Sequence, residues 1–159
     1  MTHKKIINLF TIFFILFTTS CGFKAIDNTK GSYFRVNEIK TYGDNRINYK
    51  IKNRILSNSS DKAQDSLIIN LNTKKIKEVK EKNIKNEITK YDILIVVEVT
   101  LNFIENKKIE KFTLNSRGDY SVSEKYSTTL QNEKRLVDNL NDDISKKIIN
   151  KISMLQNDI

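Results

Sequence analysis

Apolar side chains recur along this chain with two different periods, and each change of period marks a boundary between elements. From Tyr91 to Phe103 the odd positions Tyr91, Ile93, Ile95, Val97, Val99, Leu101 and Phe103 are all apolar, with Asp92, Glu98, Thr100 and Asn102 between them. A period of two sustained over this length predicts a long strand with one face on a core. The segment that follows carries Phe112, Leu114, Tyr120 and Val122 on its even positions. Glu105-Asn106-Lys107-Lys108 reads as the turn between the two strands, with Asn106 the residue that tolerates positive φ. A two-residue turn at Asn106-Lys107, or a four-residue loop over 105–108, sets Leu101 opposite Phe112, Val99 opposite Leu114 and Tyr91 opposite Val122, so that the apolar faces coincide.

Upstream, Leu67, Ile69 and Leu71 alternate, then Ile76 and Val79 break the parity. That pattern predicts one long strand with a bulge near Asn72–Lys75, turning back around Lys82–Asn86. Tyr33–Ile39 predicts a short first strand. After the break at Gly43-Asp44-Asn45, Ile47, Ile51 and Ile55 recur every four residues, which predicts a helix to about Ser57 with Asp44 as N-cap. Asn58–Asp61 closes it as a loop. Tyr126, Leu130, Val137, Leu140, Ile144, Ile148, Ile152 and Leu155 follow helical spacing, with Lys146, Lys147 and Lys151 on other faces. The order is β-α-β-β-β-α. Two helices with one apolar side each and a single-sided sheet predict an α+β two-layer sandwich, the helices packed on one face of a four-stranded, mostly antiparallel sheet.

The N-terminus follows neither period. Lys4 and Lys5 precede a nearly unbroken apolar run from Ile6 to Phe17, and Thr18-Thr19-Ser20 lead into Cys21-Gly22. Charge, apolar run and small residues in that order are the secretory pattern. Ile6–Phe17 would span only ~18 Å as a helix, short of a hydrocarbon core of ~30 Å. The expected organisation is a signal peptide at 1–20, a lipidated start and polar tether at 21–32, and one domain at 33–159. Cys21 is the only cysteine, so no internal disulfide is possible. The stretch resembles a bacterial lipobox, although Thr18 stands where Leu is usual. The resemblance implies a diacylglycerol on the Cys21 sulfur and a further, palmitate-type chain on its amino group, an anchor that is effectively permanent. Gly22 is not the Asp that commonly retains lipoproteins at the inner membrane, which favours the outer one.

Removing Lys4 and Lys5 lowers the formal charge of +9 by two and leaves a basic domain. A basic balance suggests an anionic partner, and for an exported chain that means phospholipid or lipopolysaccharide rather than nucleic acid. Lys74, Lys75, Lys77, Lys80, Lys82 and Lys85 crowd the turn between the second and third strands and are the candidate lipopolysaccharide contacts. A solvated edge that discourages aggregation is the plainer explanation of the same lysines. The one histidine, His3, lies in the signal peptide, so Ser–His and Cys–His nucleophiles and His/Cys zinc sites are not expected in the mature chain. No Gly-rich phosphate loop is present. Asp142 and Asp143 near Asp138 read as exposed helix acids rather than a cation site. Arg117-Gly118-Asp119 reads as a mid-strand stretch rather than an adhesion tripeptide, in which Gly118 marks a close approach or a bend. No enzyme activity, cofactor or metal is expected.

Cys21-Gly22-Phe23, the one-domain β-α-β-β-β-α order and the long closing amphipathic helix together resemble the LptE family of lipopolysaccharide-assembly lipoproteins. Asn45–Leu56 looks like that family's first helix, Tyr91–Phe103 like its central strand and Ile144–Leu155 like its closing helix. The resemblance implies an outer-membrane lipoprotein, facing the periplasm or the barrel lumen, that supports and plugs the β-barrel LptD and binds lipopolysaccharide. The alternative is a generic periplasm-facing lipoprotein acting as a tether or adaptor.

Overall fold

The computed structural model describes residues 34–63 and 65–157. The expected signal peptide, Cys21 and the tether lie outside the described residues. Six elements follow in the order read from the sequence: β1 (Phe34–Gly43), α1 (Asn45–Leu56), β2 (Asp65–Lys82), β3 (Ile88–Phe103), β4 (Lys108–Ser121) and α2 (Tyr126–Asn157). The sheet order is β1-β2-β3-β4, with β1 parallel to β2 and the other two pairs antiparallel. The fold is α+β. α1 lies over β1 and β2, α2 over β4 and β3, and the two helices touch.

Alternation and helical spacing meet in one core. Ile47, Ile51 and Ile55 from α1 and Leu140, Ile144, Ile148 and Ile152 from α2 cover Leu67, Ile69, Leu71 and the odd positions of β3 from Ile93 to Phe103. All of these are buried. Asp44 caps α1 as its side-chain position suggests, with its carboxylate accepting from the backbone N–H of Arg46 and Ile47. The opposite sheet face stays polar over much of its area: Asn72, Glu98, Thr113 and Asn115 are exposed there.

Three sequence expectations need correction. The first strand runs past Ile39 to Gly43, because its C-terminal half pairs with Lys40↔Asn70 through Gly43↔Thr73 on β2. The bulge expected near Asn72–Lys75 is not there; β2 keeps its register through Lys77↔Ile93, and the irregularity falls at Val79–Lys82. Ile76 does not break the parity but faces the open side of the sheet beside Leu94, while Thr73, Lys75 and Lys77 continue the inward row. The third is the β3–β4 register. Leu101 stands opposite Glu110, not Phe112; Val99 pairs with Phe112, Val97 with Leu114 and Tyr91 with Tyr120. The connection is a four-residue turn over 104–107, and the positive φ (53°) is at Lys107 rather than Asn106. The start of β2 holds that turn: Ile104 N–H donates to the Ser66 carbonyl at 3.0 Å, and Ser66 N–H donates to the Glu105 carboxylate at 2.8 Å. A shift of two residues keeps every side chain on its face, so the apolar pattern could not distinguish the two registers.

Candidate functional site

β1 accompanies β2 only as far as Thr73, and β4 pairs β3 only as far as Lys90↔Ser121. Beyond these pairings the tip of the β2–β3 hairpin projects as a two-stranded arm that carries Lys82 and Lys85. The other four candidates, Lys74, Lys75, Lys77 and Lys80, precede it, where β3 still pairs with β4. The turn of the arm is built by one side chain. Asn83 Oδ1 accepts from the backbone N–H of Lys85 at 2.9 Å and of Glu87 at 3.0 Å, while its Nδ2 donates to the Glu87 carboxylate at 2.7 Å. Asn86 takes φ of 62°, a conformation that Asn adopts more readily than most residues, and Lys82 donates to its Oδ1 at 3.0 Å. A turn so tied presents Ile84 fully exposed, with Lys85 beside it.

The six candidate lysines do not share one surface. Lys75 and Lys77 point to the helix side. Lys77 Nζ lies 4.4 Å from the centre of the Tyr91 ring and 5.3 Å from that of Tyr120, and it donates to Glu133 of α2 at 2.7 Å. Lys75 reaches the same carboxylate at 3.7 Å. Tyr120 Oη donates to Glu133 at 2.9 Å, and the Tyr91 and Tyr120 rings stack with centroids 5.7 Å apart. Burial opposes ionisation of Glu133, but the hydrogen bonds from Lys77 and Tyr120 outweigh it and hold the carboxyl below its usual range. Burial likewise opposes the Lys77 charge, and Glu133 and Tyr120 together outweigh that to raise the ammonium above its usual value.

Lys80 is on the open side, 2.6 Å from Asp119 of β4, whose pKa it lowers through that hydrogen bond. Lys90 and Glu81 pair at 2.8 Å nearby. Lys74 is exposed on the open side, opposite Val96. Lys82 and Lys85 are at the tip. Four of the six candidates thus serve ion pairs or the turn, and the freest positive charge among them is at Lys74 on the sheet and Lys85 on the arm. The Glu133 cluster escaped sequence reading because its members come from β2, β3, β4 and α2. Its one legible trace is that Lys75 and Lys77 continue the odd parity of Leu67–Leu71.

Two of the three acids singled out on α2 are engaged as well, while Asp142 is exposed. Asp138 pairs with Lys50, and Asp143 accepts from Ser116 and from Lys147, both at 2.7 Å. The hydrogen bonds from Lys147 and Ser116 lower the pKa of Asp143. Arg117 donates to Asp92 on β3 at 2.8 Å, and a side chain at Gly118 would meet Leu136 of α2 at 2.8 Å. The stretch is mid-strand, and its glycine does mark a close approach.

This arrangement of sheet and helices resembles the fold of several solved bacterial lipoproteins. The chain is similar to the rare lipoprotein B from Shewanella oneidensis, with a TM-score of 0.59 and 14% identity over 77% of this chain and 98% of that one. Lipoprotein B from Nitrosomonas europaea gives 0.56 and 12%, over 79% and 85% of the two chains. A minor lipoprotein from Acinetobacter baumannii gives 0.52 and 14%, over 78% and 95%. No protein-family model matches the chain, and no curated protein matches it in sequence.

Proposed function

We propose that this chain is an outer-membrane lipoprotein, anchored through Cys21, that supports and plugs an LptD-like β-barrel and contacts lipopolysaccharide with its β2–β3 arm. The observation that carries the reading is the arm itself: a turn fixed by Asn83, with exposed Ile84 set among Lys82 and Lys85. Lipopolysaccharide joins phosphates to acyl chains. An apolar side chain flanked by ammonium groups on a rigid tip can meet both at once. The likeness in fold to bacterial lipoproteins supports the anchor, together with the lipobox-like run into Cys21. The polar open face of the sheet, with Asn72, Glu98, Thr113 and Asn115, suits a water-filled barrel lumen.

The test is charge reversal at the tip, Lys82→Glu with Lys85→Glu, combined with Ile84→Ser. Lipopolysaccharide binding should weaken, and the remaining binding should become less salt-dependent. Lys146→Glu with Lys151→Glu, exposed on α2, is the matched control and should bind nearly normally. Equal loss in both sets, or none in either, removes the arm from ligand binding. Failure of the full chain to co-purify with a large barrel from solubilised outer membranes removes the plug.

A further inference from the structure

Away from the arm, a cleft of about 630 Å³ lies between the N-terminal turns of α1 and the part of α2 from Leu130 to Asn141. Ile47, Leu130 and Val137 give it apolar walls, and Tyr49 and Leu130 are 68% and 48% exposed. Asn141, also in its lining, is 2% exposed, and among the described residues neither its Oδ1 nor its Nδ2 has a hydrogen-bond partner. A buried amide with both halves unpaired is unusual and costly. Its neighbour Ser145 does not relieve it, because that hydroxyl donates to the Asn141 backbone carbonyl.

The charges around the cleft are unevenly used. Asp138 is taken by Lys50, Glu133 by Lys75 and Lys77, and Asp44 by the N-terminus of α1. Arg46 on one wall and Lys134 on the other form no ion pair among the described residues. The charge left to an occupant is positive.

We propose that this cleft docks an extended peptide segment of a partner protein, one that combines apolar and acidic side chains. Every non-proline residue of an extended peptide offers one N–H and one C=O, and an Asn side chain carries the matching acceptor and donors. Paired with one residue's backbone, Asn141 would be satisfied at both ends. A hydrocarbon chain would fill the same walls and leave the amide unpaired. Acidic side chains on the segment would meet Arg46 and Lys134, and apolar ones would cover Leu130 and Val137. Asn141 is buried, so the segment reaches its amide only as side chains lining the cleft move. The site is separate from the arm and does not rest on the barrel-plug reading.

The full chain in uncharged detergent micelles is screened against an array of short, end-blocked synthetic peptides of varied sequence. The side-chain amide resonances of Asn141 are then followed with the binders. Peptides that mix Leu, Ile or Val with Asp or Glu should bind and move those resonances. Asn141→Leu, and separately Arg46→Glu with Lys134→Glu, should each weaken binding about tenfold or more. Asn141→Leu should not lower the unfolding temperature, because it removes an unpaired polar group. If that variant fails to fold, the Arg46 and Lys134 pair decides. The proposal is overturned if no peptide on the array binds, or if binding survives these substitutions. It is also overturned if phosphatidylglycerol vesicles move the Asn141 resonances where peptides do not, which would make the cleft a lipid site.

Discussion

Gly43 has φ of +87°, and a Cβ built there would lie 1.9 Å from the Thr73 carbonyl oxygen. The carbonyl is held in place, because it accepts from Asp44 N–H at 3.1 Å. Behind it, Asn48 donates to the Tyr42 carbonyl at 2.8 Å and accepts from the Thr73 hydroxyl at 3.0 Å, both Asn48 and Thr73 being buried. The junction of β1, α1 and β2 therefore has no room for a side chain. Gly43→Ala should cost roughly 1–3 kcal/mol for the backbone conformation alone, with the backbone clash in addition. Urea unfolding would measure it, and an unchanged midpoint would show that the junction can open freely. Glu133 gives a pH prediction. Its carboxyl titrates below the usual value in the fold, so the stability it contributes is present above the unfolded carboxyl range and is lost as pH falls through the lowered value. Unfolding of the wild type should steepen with acid below about pH 4.3, the ordinary Glu value, and Glu133→Gln should flatten that part of the profile. Identical acid profiles for the two would detach the Lys77–Glu133–Tyr120 cluster from stability.

At the scale of elements, the β3–β4 hairpin is where pattern and structure part. Two registers separated by two residues bury the same faces, and the choice between them was made by a segment remote in sequence, the Ser66 backbone gripping the 104–107 turn. Cross-linking tests it directly. In a Cys21→Ser background, Val99→Cys with Phe112→Cys should oxidise readily, because directly opposed positions lie within disulfide reach. Leu101→Cys with Phe112→Cys is the diagonal pair, at ~7–8 Å, and should oxidise poorly. The reverse preference would restore the register expected from a two-residue turn. Leu101 itself is wholly buried, so Leu101→Ala should cost ~2–5 kcal/mol. Thr100→Ala, on the open face, should shift the unfolding midpoint by no more than the ~0.5 kcal/mol usual for surface sites.

Among the described residues, the two-layer arrangement leaves a sheet face, the tip of the β2–β3 arm and an inter-helix cleft uncovered. Part of the lysine charge is met locally: Lys50, Lys75, Lys77, Lys80, Lys90, Lys108 and Lys147 each pair with an acid. Exposed pairs of this kind contribute little to stability individually, but they lower the charge available to a polyanion. Anchoring is tested on the full chain. Cys21→Ser should leave uncleaved precursor or release the protein from the outer-membrane fraction. Normal processing and sedimentation of that variant would remove the lipid from the account.

The sequence by itself determined the six elements, their order and the buried faces of α1, β3, β4 and the Leu140–Ile152 part of α2; Tyr126 and Leu130, which share that helical spacing, are exposed. A period of two or of 3.6 residues is a local property that burial selects directly. Asp44 as a cap and Gly118 as a close approach were legible for the same reason: each acts on neighbours or through its own missing side chain. Tertiary structure alone decided the β3–β4 register, the place of the β2 bulge and the sorting of Lys74, Lys75, Lys77, Lys80, Lys82 and Lys85 onto different surfaces. It alone brought Tyr91, Tyr120, Lys77 and Glu133 together and left the Asn141 amide unpaired beside a cleft. Those outcomes depend on which distant groups meet. An apolar pattern repeats every two residues along a strand and is blind to a shift of two, whereas a hydrogen bond from Ser66 to Glu105 is not.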